Sequence, residues 1–284
     1  MKPFSFKVFT TREAYLLVAA SMVTGLFVGL LFQGIIQNLD NNALLDRIAL
    51  FFSELALLIP LLLVLKQRNL KIINLVPLKK VSHLTLAMSV MLIAGVIGLV
   101  SVFEVLVIPY FPLPDYLLQL EDDLYQGGVL ANGVLILAAV IIAPVAEELL
   151  FRGLLQQSMF YHYGSMIPAL VVPTVVFALT HFGYLFYIPA LVELVALGLL
   201  LAWLVLKTGN LLIPILVHAL FNLSAFSGLL MGGDTELETL ADLGWVWIIS
   251  STVLFIAGWL YFKRLKQVVC DDVYLIPSAQ DIGV

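Results

Sequence analysis

Residues 134–153 read VLILAAVIIAPVAEELLFRG. The first nine form the kind of apolar run that crosses a membrane, and two carboxylates and an arginine follow with no polar loop between. A charge at the centre of a bilayer costs roughly 3 kcal/mol on insertion scales. Glu147, Glu148 and Arg152 therefore stand where charge must be compensated or used. Helix geometry settles part of this. Residues four apart share a face, and an acid N-terminal to a base is the better orientation, so Glu148 and Arg152 are matched for an ion pair. Glu147 is turned about 100° away and has no partner on its own helix.

The whole chain extends this reading. Its 284 residues are 62% hydrophobic and only 12% charged, with a mean hydropathy of +1.08. Soluble domains are about half apolar and a quarter charged. The fold class is therefore all-α, a polytopic membrane helix bundle. A span needs about 20 apolar residues, which predicts about eight transmembrane helices. They lie near 14–36, 47–65, 84–108, 128–146, 166–182, 187–206, 211–230 and 245–262, the fourth continuing as helix to about Phe160. Lys2, Lys7 and Arg12 precede the first stretch, as in a signal sequence, but no cleavage site is evident and it reads as a retained span. The single cysteine, Cys270, excludes an internal disulfide and a cysteine-based zinc cage. The net charge of −5 rests on few groups and points to no nucleic-acid partner.

Basic residues favour the cytoplasmic side of short loops. With eight spans, that side holds Lys2, Lys7, Arg12, Lys66, Arg68, Lys71, Lys79, Lys80, Arg152, Lys207, Lys263, Arg264 and Lys266. Arg47 falls outside, with Asp115, Glu121, Asp122, Asp123, Asp234, Glu236 and Glu238. Both termini are expected in the cytoplasm and the protein in the cell membrane.

Polar residues within the apolar runs form four groups: the opening motif, His181 in FALTH, His218 with Asn222 in HALFN, and the lone acids Glu54 and Glu193. Glu54 and Glu193, taken singly, read as packing groups that tie helices together. His83 and His162 fall near helix ends and read as solvated. His218 and Asn222 share one face of the seventh span. A carboxylate, two imidazoles and an amide from three helices can converge on one pocket. They provide a water-activating base, a proton shuttle and donors for a developing oxyanion, the parts needed for hydrolysis.

EELLFR, FALTH and HALFN resemble the EExxxR, FxxxH and HxxxN motifs of the CPBP (Abi) family of intramembrane proteases, which includes the type II CAAX prenyl endopeptidases. The stretch LLLAWLVLKTGNLLIPILVHALFN is similar to that family's last conserved segment. The resemblance covers about residues 128–226 and divides the chain into N-terminal transmembrane helices (1–127), a catalytic core (128–226), and a last helix with a cytoplasmic tail (227–284). It implies that Glu147 and His181 activate water, that His218 and Asn222 stabilise the oxyanion, and that Glu148 and Arg152 give structural support. The implied activity is endopeptidase hydrolysis of membrane-associated proteins or peptides within the bilayer.

Two alternatives compete. Intramembrane Glu and His also build proton relays, as in a proton- or ion-coupled transporter, although no internal repeat is evident. A non-catalytic immunity or scaffold protein could keep the same fold. On cofactors, a zincin places two imidazoles at i and i+4, whereas His218 has Asn222 at that position. Zinc bound by Glu147, His181 and His218 is possible, but would occupy both base and oxyanion donor. Ligand chemistry thus favours a glutamic-type site with no cofactor.

A further expectation concerns depth. At about 1.5 Å per residue, His218 lies about 12 Å from the start of its helix and His181 roughly 22 Å from the start of its own. Their convergence requires tilt, a ragged fifth span, or a connection FGYLFYIP that enters the membrane.

Overall fold

The computed structural model describes residues 9–36, 43–74, 76–119, 127–226 and 243–266. Lys2, Lys7, Glu121, Asp122, Asp123, Asp234, Glu236, Glu238 and Cys270 lie outside the described residues, as does the end of the expected seventh span. The chain is an all-α bundle. Its helices are α1 (Thr11–Ile36), α2 (Ala43–Ala56), α3 (Ile59–Gln67), α4 (His83–Val107), α5 (Val129–Tyr163), α6 (Met166–Thr180), α7 (Ile188–Thr208), α8 (Leu212–Ser224) and α9 (Trp245–Arg264).

Among the described residues six helices are long and apolar enough to cross a membrane: α1, α2 with α3, α4, α5, α7 and α9. The expected fifth and seventh spans are shorter. Helix α6 has 15 residues and α8 has 13, so neither reaches the roughly 30 Å of hydrocarbon at 1.5 Å per residue. This bears on the depth problem: His181 caps a helix that ends early, at φ −90° and ψ 61°, and Phe182–Tyr184 follow as a 3₁₀ turn.

Helix α5 lies inside the bundle, packing against α1, α2, α6, α7 and α8. It runs 35 residues but is not a uniform α-helix. Leu137–Ile142 and Leu149–Leu155 are π-helical, and the two segments flank Ala143–Glu148. The first has a cause in the sequence. The Ala143 N–H donates to Ala138 O, an i→i−5 bond; continuing that register would assign Ala139 O to residue 144, a proline with no N–H. The second segment closes with the Gln156 N–H donating to Phe151 O.

Helix α4 packs most extensively on α9. Small residues permit this, because without water between helices association depends on close backbone approach. A Cβ on Gly95 would collide with the Phe255 backbone, one on Gly98 with the Ser251 side chain, and one on Gly258 with Leu92.

One end of the bundle gathers the cations. Arg68 pairs with Glu13 at 2.5 Å and stacks over Phe9 at 4.8 Å. Leu78 bridges Asn210, and Asn210 Nδ2 donates to Lys79 O at 2.6 Å. Lys207 Nζ donates to Leu265 O at 3.0 Å. These contacts bring Arg68, Lys79, Lys207 and the end of α9 into neighbouring loops. Arg152 departs from the expectation. It is fully buried in α5 and is no part of the basic rim, because its charge is compensated inside the bundle.

Candidate active site

The opening motif leaves one acid paired and one turned away, and the bundle is built accordingly. Arg152 Nη1 donates to Glu148 Oε1 at 2.6 Å, with both side chains fully buried. Nη2 donates to Gly198 O at 3.1 Å. That carbonyl is within reach because α7 approaches α6 closely at Gly198, where a Cβ would lie 2.9 Å from Thr174 Cγ2. The guanidinium also lies over the Phe177 ring, 4.7 Å from its centroid. Burying this charge thus uses a carboxylate, a carbonyl and a π face together.

Phe177 is the hub. Its ring is fully buried, edge-on to Phe151 at 5.5 Å. The His181 ring lies 4.6 Å away and the His218 ring 5.7 Å away. The two motif histidines therefore flank one aromatic side chain. His181 Nδ1 is 2.8 Å from Phe177 O. A carbonyl only accepts, so Nδ1 carries the proton and Nε2 is left for other chemistry.

His218 lies between the two glutamates. Its Nδ1 is 3.1 Å from Glu148 Oε1, and its Nε2 is 3.7 Å from Glu147 Oε2. The imidazole spans the angular gap between adjacent helical residues by offering one nitrogen to each. Glu147 is the more accessible acid, with 15% of its side chain exposed against none for Glu148. No hydrogen bond joins Glu147 to His181 among the described residues. The acid's nearest imidazole is His218 and not the histidine with which the motif resemblance couples it.

Asn222, one turn beyond His218, donates from Nδ2 to Ala139 O at 2.8 Å. This is the carbonyl that Pro144 and the π register leave without a backbone donor. The second π segment is treated alike: Gln157 Nε2 donates to Arg152 O at 2.8 Å. Side-chain amides thus supply donors at both interruptions of α5, and one of these amides belongs to the HxxxN motif.

The lone acids separate. Glu54, on α2, adjoins the site, because α2 packs along α5 with Leu50 beside Leu135 and Val140 and Leu58 beside Val145. Glu193 faces Glu104 on α4 and lines an apolar cavity of about 550 Å³ between α4, α7 and α9. His83 and His162 are exposed. Phe177 and Gly198 were not singled out from sequence. The FxxxH spacing marks the first; no signal marks the second, which acts through its carbonyl.

Among the described residues no three His, Cys, Asp or Glu side chains are grouped so as to hold a metal ion. Glu147, His181 and His218 do not form such a set.

Residues 130–224 match the family model described as type II CAAX prenyl endopeptidase Rce1-like. The match contains Glu147, Glu148, Arg152, His181, His218 and Asn222, and excludes Glu54. No curated protein and no solved structure matches the chain.

Proposed function

We propose that the protein is an intramembrane endopeptidase acting on membrane-associated proteins or peptides, a reading supported by the match of residues 130–224 to the Rce1-like family model and by the apolar helices around them. The observation that carries this reading is the division of labour around Phe177. Glu148 is committed to Arg152, while Glu147 remains more exposed and 3.7 Å from an imidazole.

In the proposed reaction Glu147 takes a proton from water and the hydroxide attacks the scissile carbonyl. Asn222 Nδ2 has one hydrogen on Ala139 O and a second for the oxyanion. His218 donates from Nε2. Since Nδ1 faces Glu148 Oε1, this role requires both ring nitrogens to carry a proton. His181, with Nε2 unprotonated in its neutral form, relays the proton to the leaving amine. The test is cleavage of a membrane-anchored peptide by the purified full chain, with the Glu147→Gln protein as control. Equal cleavage by both would overturn the reading.

The proposed chemistry needs no metal, because Glu147 serves as the base and His218 and Asn222 as the oxyanion donors. Exhaustively demetallated protein should therefore keep its cleavage rate. Loss on chelation that zinc alone restores would instead assign Glu147, His181 and His218 to a metal.

The orientation we propose puts the basic end, and both termini, in the cytoplasm of a cell whose surface membrane holds the protein. Lys66, Arg68, Lys79, Lys80, Lys207, Lys263 and Lys266 at loops and helix ends support it. A Lys266→Cys variant in intact cells should resist impermeant thiol reagents until the membrane is opened. Labelling from outside would reverse the topology.

A further inference from the structure

One half-buried acid beside the site has no role in the reaction above. Glu54 comes from α2, outside the matched domain. Helix α2 ends at Ala56, where Pro60 opens α3 without an N–H and Leu57 N–H donates to Glu54 O at 3.3 Å. Ser53 fixes the rotation of this segment: its Oγ donates to Gly25 O on α1 at 2.8 Å. The next residue is turned about 100° round the helix, and α2 packs on α5 as well as on α1. Leu50 packs in the cluster of Leu135 and Val140, and Leu58 in that of Leu149 with Val145, so Glu54, which lies between them, is set against the Ala143–Glu148 segment that carries Glu147.

Glu54 Oε2 is buried and has no hydrogen-bond partner. No cation compensates it from α1 beyond Tyr15 or from residues 129–146 of α5, which hold no charged side chain. Arg47 is two turns away on α2 and has a partner of its own. A buried acceptor left unpaired is costly, and two neighbouring carboxylates, both acceptors only, cannot satisfy one another. A water between them can, because it has two O–H donors and each acid has an acceptor to offer.

We propose that Glu54 is a further catalytic residue, holding together with Glu147 the water that Glu147 activates. The water donates one hydrogen to each acid, which turns its lone pairs away from both and toward the substrate carbonyl. On attack the oxygen–carbon bond forms, the hydrogen facing Glu147 passes to Glu147, and the other stays bonded to oxygen and directed at Glu54. Glu54 needs only to accept, so the carbonyl oxygen of an amide can replace it. This role rests on the endopeptidase reading.

The experiment compares wild type, Glu54→Gln and Glu54→Leu full-length protein for kcat, KM and thermal stability, beside Glu147→Gln. Glu54→Leu should fold, since an apolar group of similar shape is tolerated where a buried polar group stood. It should keep KM and lose at least about tenfold in kcat, less than the roughly 100-fold expected for losing the base itself. Glu54→Gln should restore kcat to within about threefold of wild type, because its carbonyl still accepts. Wild-type kcat in Glu54→Leu, or a change confined to KM, would overturn the assignment. So would an unfolded Glu54→Leu beside a Glu54→Gln protein that matches wild type in stability and kcat, which would make Glu54 a structural acid. Equal background rates in all four proteins, Glu147→Gln included, would instead defeat the endopeptidase reading.

Discussion

Glu147→Gln protein is expected to fold as the wild type does and to turn over at least about 100-fold more slowly, the scale of a lost general base. The two halves of this expectation have separate causes. Glutamine matches glutamate in size, and Arg152 draws its direct ion pair from Glu148, so little packing or charge compensation is lost. The amide cannot take a proton from water, so chemistry stops. Circular dichroism with single-turnover cleavage measures both halves. A wild-type rate in Glu147→Gln beside a folded but inert Glu148→Gln would exchange the two roles.

The second large effect is on stability. Glu148→Gln leaves a guanidinium with no accessible surface beside a neutral amide, and breaking a buried pair from one side costs about 3–5 kcal/mol. The loss is not simple charge removal, because Glu148 Oε1 serves Arg152 and His218 together. Replacing Arg152 by Met in the same protein should recover part of the stability. The recovery is incomplete, since the bond to Gly198 O and the stacking on Phe177 go with the arginine. Thermal unfolding of the single and double variants decides it. A double variant less stable than Glu148→Gln would show that the arginine's other contacts outweigh its uncompensated charge.

Much of the helical architecture was legible because bilayer thickness imposes a length that composition can be searched for. Apolar run and helix length differ at α6 and α8, whose described helices have 15 and 13 residues. Their apolar runs continue past the helix ends, and hydropathy does not distinguish a helical residue from the 3₁₀ turn at Phe182. The Glu148–Arg152 pair was legible from spacing alone. Arg152 itself was misplaced on the cytoplasmic rim, since counting basic residues by position ignores whether a neighbour has taken up the charge. The hydrogen bond between Asn222 and Ala139 O was not legible at all. It depends on a π register that Pro144 makes understandable only once the i→i−5 bond before it is seen. Glu54 read as a packing acid because the helix that brings it to Glu147 lies far away in sequence.

The burial of Arg152 also bears on the order in which the chain is made. Its partners arrive at different times: Glu148 is four residues earlier, Gly198 is 46 residues later and His218 trails Glu148 by 70. At about 5–20 residues per second, the later partners emerge some 2 to 14 s after α5 itself. Throughout that interval Glu148 pairs with Arg152 within α5's own turns, so the arginine enters the bilayer already compensated and the charge left over in the segment is that of Glu147. An acid supplied by α7 or α8 would serve the finished bundle equally well, but would leave a bare cation waiting during synthesis.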